Sequence, residues 1–223
     1  IACQAADKGR ERRVGYRIWC SRFTAQAATL KLAPMNATSP SYLKHHFLIA
    51  MPHMADPNFA QTLIYLVEHN RDGAMGLIVN RPSGLNLADI LEQLRPEQPG
   101  NASSQHLTIF SGGPVQTDRG FVLHPADAQF QATLDLGPLG VTTSQDVLFA
   151  IADGYGPKQQ FIALGYAGWE AGQLEAELAE NAWLSCPAQP EILFDLPYDQ
   201  RLTAAAASLG VDLTLLSSQV GHA

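Results

Sequence analysis

The amino-acid sequence predicts a domain of the α+β class over residues 42–223. Two runs rich in β-forming residues, 62–69 and 74–80, are separated by the turn residues 70–73, which is typical of a hairpin. Segments with helical periodicity are isolated from one another and do not alternate strictly with single strands. Hairpins mixed with separate helices are typical of an α+β fold rather than of a parallel βαβ sheet.

The first half of this region is predicted to hold strands on both sides of one short helix. An apolar run at 46–51, ended by Pro52, indicates a buried strand. Residues 85–94 place the apolar side chains of Leu87, Ile90, Leu91 and Leu94 on one helical face. A polar loop rich in turn residues spans 95–105, and further strands are expected over 106–110, 120–124 and 130–136.

The second half is predicted to contain three helices and two strands. Thr143 and Asp146 have the spacing of a capping box before an apolar helix that ends near Gly154. The later elements, in chain order, are a strand over 160–166, a helix over 168–181, a strand over 191–196 and an alanine-rich helix over 198–209. Because the region has no internal repeat, these elements are expected to build a single domain.

The composition is that of a globular protein in a reducing compartment. Of the 223 residues, 46% are hydrophobic and 16% are charged. The cysteines Cys3, Cys20 and Cys186 are odd in number and widely spaced, which disfavours a disulfide framework and a zinc site and favours the cytoplasm. No apolar run reaches the roughly 20 residues that span a bilayer, so no membrane partner is expected.

Charge is distributed unevenly along the chain. Residues 1–34 contain seven of the 14 basic side chains and two of the 21 acidic ones. The remaining residues therefore carry seven basic and 19 acidic side chains, a net charge of −12. Because binding to a nucleic-acid duplex needs a stripe of Lys and Arg, this balance argues against nucleic acid as a partner.

Residues 1–41 are interpreted as a basic extension that is disordered or non-native. The first 34 residues show no sustained strand or helix period, and Met35 begins a polar, turn-rich stretch that resembles a natural flexible start. Two alternatives remain open, a basic targeting peptide and a short basic arm for an anionic partner.

Several motifs carry a likeness to a known family. They are FLIAMPHMADPNF at 47–59, GAMGLIVNRP at 73–82, GGPV at 112–115, RGFVLH at 119–124 and LGYAGWEAGQLE at 164–175. With these motifs in this order, the chain resembles the YqgE/AlgH family over about residues 43–184. The resemblance implies a bifurcated mixed sheet, part of it curled into a small barrel, with helices around it. Family members are often labelled transcriptional regulators, yet no helix-turn-helix, zinc finger or basic helix is visible in the sequence.

Ten residues of these motifs are candidates for lining a ligand or partner cleft: Asp56, Glu68, Asn80, Arg81, Gly112, Gly113, Arg119, Tyr166, Trp169 and Gln173. Asp56 precedes a proline, and an Asx turn is the alternative interpretation. Asn80 and Arg81 end a predicted strand, where binding groups often lie. The alternative interpretation of Asn80 and Arg81 is a turn with a salt bridge.

The acidic and glycine candidates have structural alternatives as well. Glu68 could face the cleft, whereas the next residue, His69, projects to the opposite face of the strand. Gly112 and Gly113 could present backbone N–H groups to an anion, or they could form a tight turn. Arg119 is a cleft candidate near the start of the predicted strand that ends at His124. His124 itself is interpreted as a structural histidine.

The motif at 164–175 gives the clearest pocket hypothesis. Tyr166, Trp169 and Gln173 predict a wall with an aromatic floor and a polar rim. Glu170 and Glu177 are seven residues apart and would share one face of the predicted helix over 168–181. A solvated acidic helix face is the alternative explanation.

Catalysis and metal binding find little support in the sequence. The chain has no GxSxG elbow, Cys186 lacks neighbouring charges, and the histidines near 45–53 do not match a metal-ligand spacing. No metal and no cofactor is therefore expected. The favoured hypothesis is a cytoplasmic regulatory or binding module with a cleft for a protein or small ligand. The alternatives are an enzyme or sensor with a polar crevice, and a DNA-binding regulator, which the acidic charge disfavours.

Overall fold

The computed structural model describes residues 42–98, 100–213 and 215. The strands are β1 (His46–Ala50), β2 (Leu63–Asn70), β3 (Gly73–Ile78), β4 (Pro82–Asn86), β5 (Thr108–Ser111), β6 (Val115–Pro125), β7 (Thr133–Asp135), β8 (Leu139–Thr142), β9 (Phe161–Glu170) and β10 (Trp183–Pro187). The helices are α1 (Leu87–Leu94), α2 (Ala102–Gln105), α3 (Asp146–Asp153), α4 (Gln173–Ala179), α5 (Pro190–Phe194) and α6 (Tyr198–Ser208).

The sheet divides at β9. Its main path runs β10-β1-β2-β3-β9-β6-β8-β7, and a second branch, β4-β5, also joins β9. The later half of β9, residues 167–170, pairs with β3, whereas residues 162–164 pair in parallel with β5. The other described strand pairs are antiparallel. The predicted bifurcated, mixed sheet with a curled half-barrel and flanking helices is therefore confirmed.

Gly165 exchanges the two faces of β9 at this division. Phe161 and Ala163 pack into the interior of the curled sheet, but beyond the glycine Ala167 and Trp169 pack on its outer face. Strict alternation would place all four odd-numbered side chains on one face. Gly165 has a φ of +73°, and a Cβ there would lie 2.5 Å from the carbonyl oxygen of Gly113. Only glycine fits this irregularity without strain.

Three cores stabilise the arrangement. The interior core lies within the curled sheet, where α5 and α6 pack onto side chains such as Phe47, Tyr65 and Phe161. An outer core beside α4 includes Trp169, and a second outer core joins α1 and α3 to β5, β6 and β9. Each fully buried large apolar side chain stabilises the fold by about 1.5–3 kcal/mol. In each core, helices cover apolar side chains of the sheet.

Of the predicted elements, one differs from the structure in type and several differ in extent. The predicted strand over 191–196 is wrong, because residues 191–194 belong to α5, which begins at Pro190. A short apolar run cannot distinguish strand from helix by periodicity, and proline in the first turn favours the helix. The predicted helix over 168–181 begins only at Gln173, because β9 continues to Glu170. Glu170 and Glu177 therefore do not share a helical face.

The predicted capping box before α3 does not form. The N-cap of α3 is Gln145, without a side-chain bond, and the carboxylate of Asp146 accepts the N–H of Gln131 and the hydroxyl proton of Ser144. The predicted end at Gly154 is confirmed by its left-handed conformation. The sequence did not predict β4, α2, β8 or β10. No helix in the described part of the chain is both long and apolar enough to cross a membrane.

Candidate functional site

The ten predicted cleft residues belong to separate contact groups rather than to one cleft. Arg81 donates from Nη1 to the carbonyl oxygen of Asn58 at 2.8 Å and from Nη2 to that of Ala60 at 3.0 Å. Asp56 accepts the N–H of Asn58 at 2.8 Å, which is an Asx turn. Arg81 therefore joins the loop between β1 and β2 to the end of β3, and Asp56 stabilises a turn within that loop.

Asn80 secures the same loop from the strand side. Its Oδ1 accepts the N–H of Leu63 at 2.9 Å, and its Nδ2 donates to the carbonyl oxygen of Gln61 at 2.9 Å. Gln61 has a φ of +57°, so the chain turns sharply there before it enters β2. The amide of Asn80 thus satisfies backbone groups that this turn leaves unpaired.

Glu68 and His69 have different partners, as their opposite directions predict. Glu68 forms an ion pair with Lys44, with Nζ and Oε2 3.1 Å apart. Nδ1 of the buried His69 accepts the N–H of Leu43 at 2.9 Å, and Nε2 lies 3.0 Å from Oε1 of Glu175. Because the N–H of Leu43 requires an unprotonated Nδ1, the ring proton is on Nε2 and is donated to Glu175.

Gly112 and Gly113 form a close backbone crossing. The N–H of Gly112 is donated to the carbonyl oxygen of Leu164 at 2.7 Å. A Cβ on Gly112 would lie 2.3 Å from the oxygen of Gly165, and one on Gly113 would lie 2.1 Å from the carbonyl carbon of Tyr166. The two glycines let the chain pass against β9, and the N–H of Gly112 is already occupied.

Arg119 and Tyr166 meet at one aromatic ring. The guanidinium of Arg119 lies 5.4 Å from the ring centroid of Phe121, and Tyr166 contacts the same ring edge-on at 5.9 Å. Arg119 also donates to Oε1 of Gln116 at 3.4 Å. This group sits beside the bulge of β6 at 116–119, away from the contacts of Trp169.

Trp169 and Gln173 surround the carboxylate of Glu177. Oε2 of Glu177 accepts both indole N–H groups, from Trp169 and Trp183, each at 2.8 Å. Oε1 accepts an N–H of Gln173 at 2.9 Å. Phe59 stacks on Trp169 with centroids 6.2 Å apart. Both indoles are more than 90% buried, so this aromatic wall is part of the core.

A small pocket lies at a place that the sequence did not indicate. It encloses about 30 Å³ between β1, β2, the turn into β8 and the start of α5. The lining residues are His45, Phe47, Tyr65, Pro138, Leu139, Ala188, Gln189, Pro190 and Leu193. The walls are predominantly apolar, and the hydroxyl of Tyr65 lies 3.1 Å from Nδ1 of His45.

The His45–Tyr65 pair is the polar element of this pocket. Burial raises the pKa of Tyr65 to about 12, so its hydroxyl keeps its proton. The hydroxyl and Nδ1 of His45 share one hydrogen bond, whose donor is set by the tautomer of the ring. Burial and the neighbouring Lys44 lower the pKa of His45, which keeps the ring neutral. His45, immediately before the start of β1, has a φ of +64°, a strained conformation for a residue other than glycine.

Arg201 is a further residue that the sequence analysis did not identify. It is only 8% exposed, and its guanidinium lies 5.1 Å from the ring of Phe110 and 5.6 Å from that of Phe161. Helical spacing offered a signal, because Ala205, one turn later, is also buried. The described residues contain no cluster of three or more His, Cys, Asp or Glu placed to hold a metal ion.

Comparison with known proteins gives a consistent relationship. A family model described as AlgH-like matches residues 47–214. The chain is 80% identical to the UPF0301 protein of Stutzerimonas stutzeri and 70% identical to the AlgH protein of Pseudomonas aeruginosa, in each case over 85% of this chain and all of the relative. The solution structure of that AlgH protein superposes with a TM-score of 0.70, again over 85% of this chain and all of the other.

A more distant likeness concerns the fold alone. An X-ray structure of a Corynebacterium diphtheriae protein superposes with a TM-score of 0.61 at 20% identity, over 82% of this chain and 94% of that one. The fold is thus shared at low sequence identity. Together with the family model and the two close relatives, these findings establish that the chain belongs to the AlgH-like family, the YqgE/AlgH family that its motifs resemble.

Proposed function

We propose that this chain is a cytoplasmic regulatory module that acts by binding a partner protein. The observation that carries the proposal is the apolar pocket beside the His45–Tyr65 pair. Pockets for metabolites usually enclose about 300–1,000 Å³, whereas this one encloses about 30 Å³. That space suits the tip of one apolar side chain, inserted as an anchor from a partner surface.

The residues that line the pocket indicate which type of side chain could enter it as the anchor. Leu139, Leu193 and Phe47 offer apolar contact, and the rim is formed by the exposed residues Pro138 and Gln189. Because Nδ1 of His45 is occupied by Tyr65, a polar group beside the anchor would meet the other ring nitrogen or the amide of Gln189. We therefore expect an aliphatic or proline side chain flanked by a backbone carbonyl.

The contacts of the predicted cleft residues favour a partner protein over a ligand bound in a polar crevice. Arg81, Asn80 and Trp169 each bind backbone or side-chain groups of the chain itself. Such residues stabilise the fold and are not available for a substrate. The net charge of −12 outside residues 1–34 favours a partner with a neutral or basic surface over nucleic acid.

An enzyme or sensor is the second candidate, and one observation favours it. The Tyr65 hydroxyl and the His45 ring form a proton donor and acceptor at the wall of a pocket. A reaction at this pair would require a ligand small enough to enter with only a few atoms. Such a ligand would bind without any partner protein, which separates the two candidates.

The test places a photo-reactive benzoylphenylalanine at Gln189, on the rim of the pocket. The host is Pseudomonas aeruginosa, whose AlgH protein is 70% identical. We expect a discrete crosslinked protein that disappears when Ala188→Leu fills the pocket. The same reporter at Tyr155, which is 86% exposed on the loop after α3, is the control. Identical crosslinks at both positions, or crosslinks insensitive to Ala188→Leu, would overturn the proposal.

A further inference from the structure

β10 lies at an edge of the described sheet. It ends the main path of strands and pairs with β1 alone among the described strands. The N–H of Met51 donates to the carbonyl oxygen of Ala182 at 3.0 Å, and the N–H of Ala188 donates to that of His45 at 3.0 Å. Because backbone groups alternate in direction along an antiparallel strand, the even-numbered residues of β10 point their N–H and C=O groups at β1. The odd-numbered residues therefore point theirs away from β1.

The outward backbone groups of β10 are not used by the described part of the chain. They are the N–H groups of Trp183 and Ser185 and the carbonyl oxygens of Trp183, Ser185 and Pro187. None of them takes part in a backbone hydrogen bond among the described residues. Ser185 is partly exposed and Pro187 is exposed, so a second strand can reach this edge from solvent. A row of unpaired N–H and C=O groups is a template for such pairing.

The other edge strands of the described sheet are poorer templates than β10. β7 has three residues, one of which is the charged Asp135. β4 begins with Pro82 and meets β5 at two positions, with an irregularity between them. β10 keeps a continuous register with β1 over five residues. Edge strands are normally protected by charge, proline, bulges or short length, and β10 has a proline at its last position and no charged residue.

The charge around β10 favours a second copy of this chain as the pairing strand. Residues 181–190 read NAWLSCPAQP, and the nearest charged side chains are Glu180 and Glu191, beyond the two ends of the strand. The chain outside residues 1–34 has a net charge of −12, so two copies repel each other over most of their surfaces. Along residues 181–190 a second copy would meet no like charge. A basic partner would find no carboxylate there to attract it.

The side chains of β10 leave space for a second strand. Ser185 shares the outer face of the sheet with Trp183, which belongs to the outer core beside α4. The side chain of Ser185 is small, so two copies of it can lie side by side. Leu184 is on the interior face and is only partly buried. A strand paired beyond it would cover more of its apolar surface, which stabilises the pairing.

We propose that β10 pairs in antiparallel orientation with β10 of a second copy of this chain, about a two-fold axis at Ser185. In this register each Ser185 donates its N–H to the carbonyl oxygen of the other Ser185, and each Trp183 N–H faces the carbonyl oxygen of the other Pro187. Pro187 has no N–H to donate, and the register uses its oxygen. The pairing needs no other molecule and is therefore independent of the proposed partner protein.

The test is a dilution series of the purified full chain, followed by NMR. We expect the rotational correlation time from ¹⁵N relaxation to rise towards that of a dimer, with a dissociation constant of about 0.1–1 mM, because few hydrogen bonds hold the pair. Amide hydrogen exchange locates the contact. The amide of Ser185 should exchange at least about twofold more slowly at the highest concentration, about 1 mM, than in the monomer. The amide of Leu184 points at β1 in both states and should not change.

Two variants at one position assign the dimer to the outward N–H of Ser185. Ser185→Pro removes this N–H but no bond to β1, and edge strands accept proline at such positions. We expect it to weaken dimerisation at least about tenfold. Ser185→Thr keeps the N–H and is the matched control, which should still dimerise. A correlation time that does not change with concentration, an unchanged exchange rate of Ser185 in the dimer, or equal dimerisation of the two variants overturns the proposal. The unaltered chain decides the matter even if Ser185→Pro does not fold.

Discussion

Nε2 of His69 lies 3.0 Å from Oε1 of Glu175 and links the end of β2 to α4, which follows it by more than 100 residues. The register shift between Leu66 and Glu68 makes this contact available. It inserts an extra residue into β2 and brings His69 to the outer face, where α4 packs. The ring is then held at both nitrogens, by Leu43 and by Glu175.

Replacing His69 by Phe is expected to destabilise the protein by about 1–3 kcal/mol, because the N–H of Leu43 loses its acceptor in a partly buried place. Glu175→Gln should cost less, about 0.5 kcal/mol, since the Glu175 side chain is 47% exposed and solvent screens the interaction. Urea unfolding monitored by circular dichroism measures both changes. His106→Phe, at an exposed position, is the control, and an equal loss there would contradict this account.

His45 is expected to make stability fall as the pH drops below about 6.5, its ordinary pKa. Burial, with the charge of Lys44, lowers the folded-state pKa, so the folded protein favours the neutral ring. The stabilisation is complete above the unfolded pKa and is lost as pH falls through the lowered folded pKa. Urea midpoints between pH 7.5 and 5 should show this loss.

The matched variant for this prediction is His45→Asn. Asparagine tolerates the positive φ of +64° at this position, but it does not titrate. The variant should therefore lose less stability than the unaltered chain over the same pH range. Identical pH profiles for the two proteins would show that another group governs the transition.

The sequence predicts the fold class and most strands because short runs of apolar and β-forming residues end at turn residues, as at 46–51 before Pro52. It fails where one irregular residue changes the alternation. At Gly165 the faces of β9 exchange, which kept Trp169 from being recognised as part of a strand. At 191–196 a short apolar run adopts the helix that Pro190 begins. In both places tertiary packing decides between local conformations of similar energy.

The candidate site was less predictable because its contacts join distant segments. The motif residues stand out by chemistry, yet Arg81 and Asn80 bind backbone carbonyls whose positions only the fold determines. Arg201 carries no motif, and its contact with the ring of Phe110 depends on where α6 packs. His45 and Tyr65 are 20 residues apart and meet only because β1 and β2 pair.

Glu177→Ala is expected to lower the free energy of unfolding by about 2–3 kcal/mol, because the indole N–H groups of Trp169 and Trp183 both lose a charged acceptor. The tryptophan emission should change at the same time, since both rings border the altered site. Glu180→Ala, at an exposed position just after α4, is the control and should stay within about 0.5 kcal/mol. Equal effects of the two substitutions would mean that the indole bonds contribute nothing.

Gly112→Ala is expected to be among the most destabilising glycine-to-alanine substitutions. It should lower the free energy of unfolding by about 3 kcal/mol. The new Cβ would lie 2.3 Å from the carbonyl oxygen of Gly165, and this backbone cannot retreat without breaking the crossing with β9. Gly84→Ala separates crowding from backbone strain, because Gly84 has a φ of +85° but no atom within 4 Å of the added Cβ. Strain alone should cost Gly84→Ala about 1–2 kcal/mol. A smaller loss in Gly112→Ala than in Gly84→Ala, measured by urea unfolding, would show that the crossing can open.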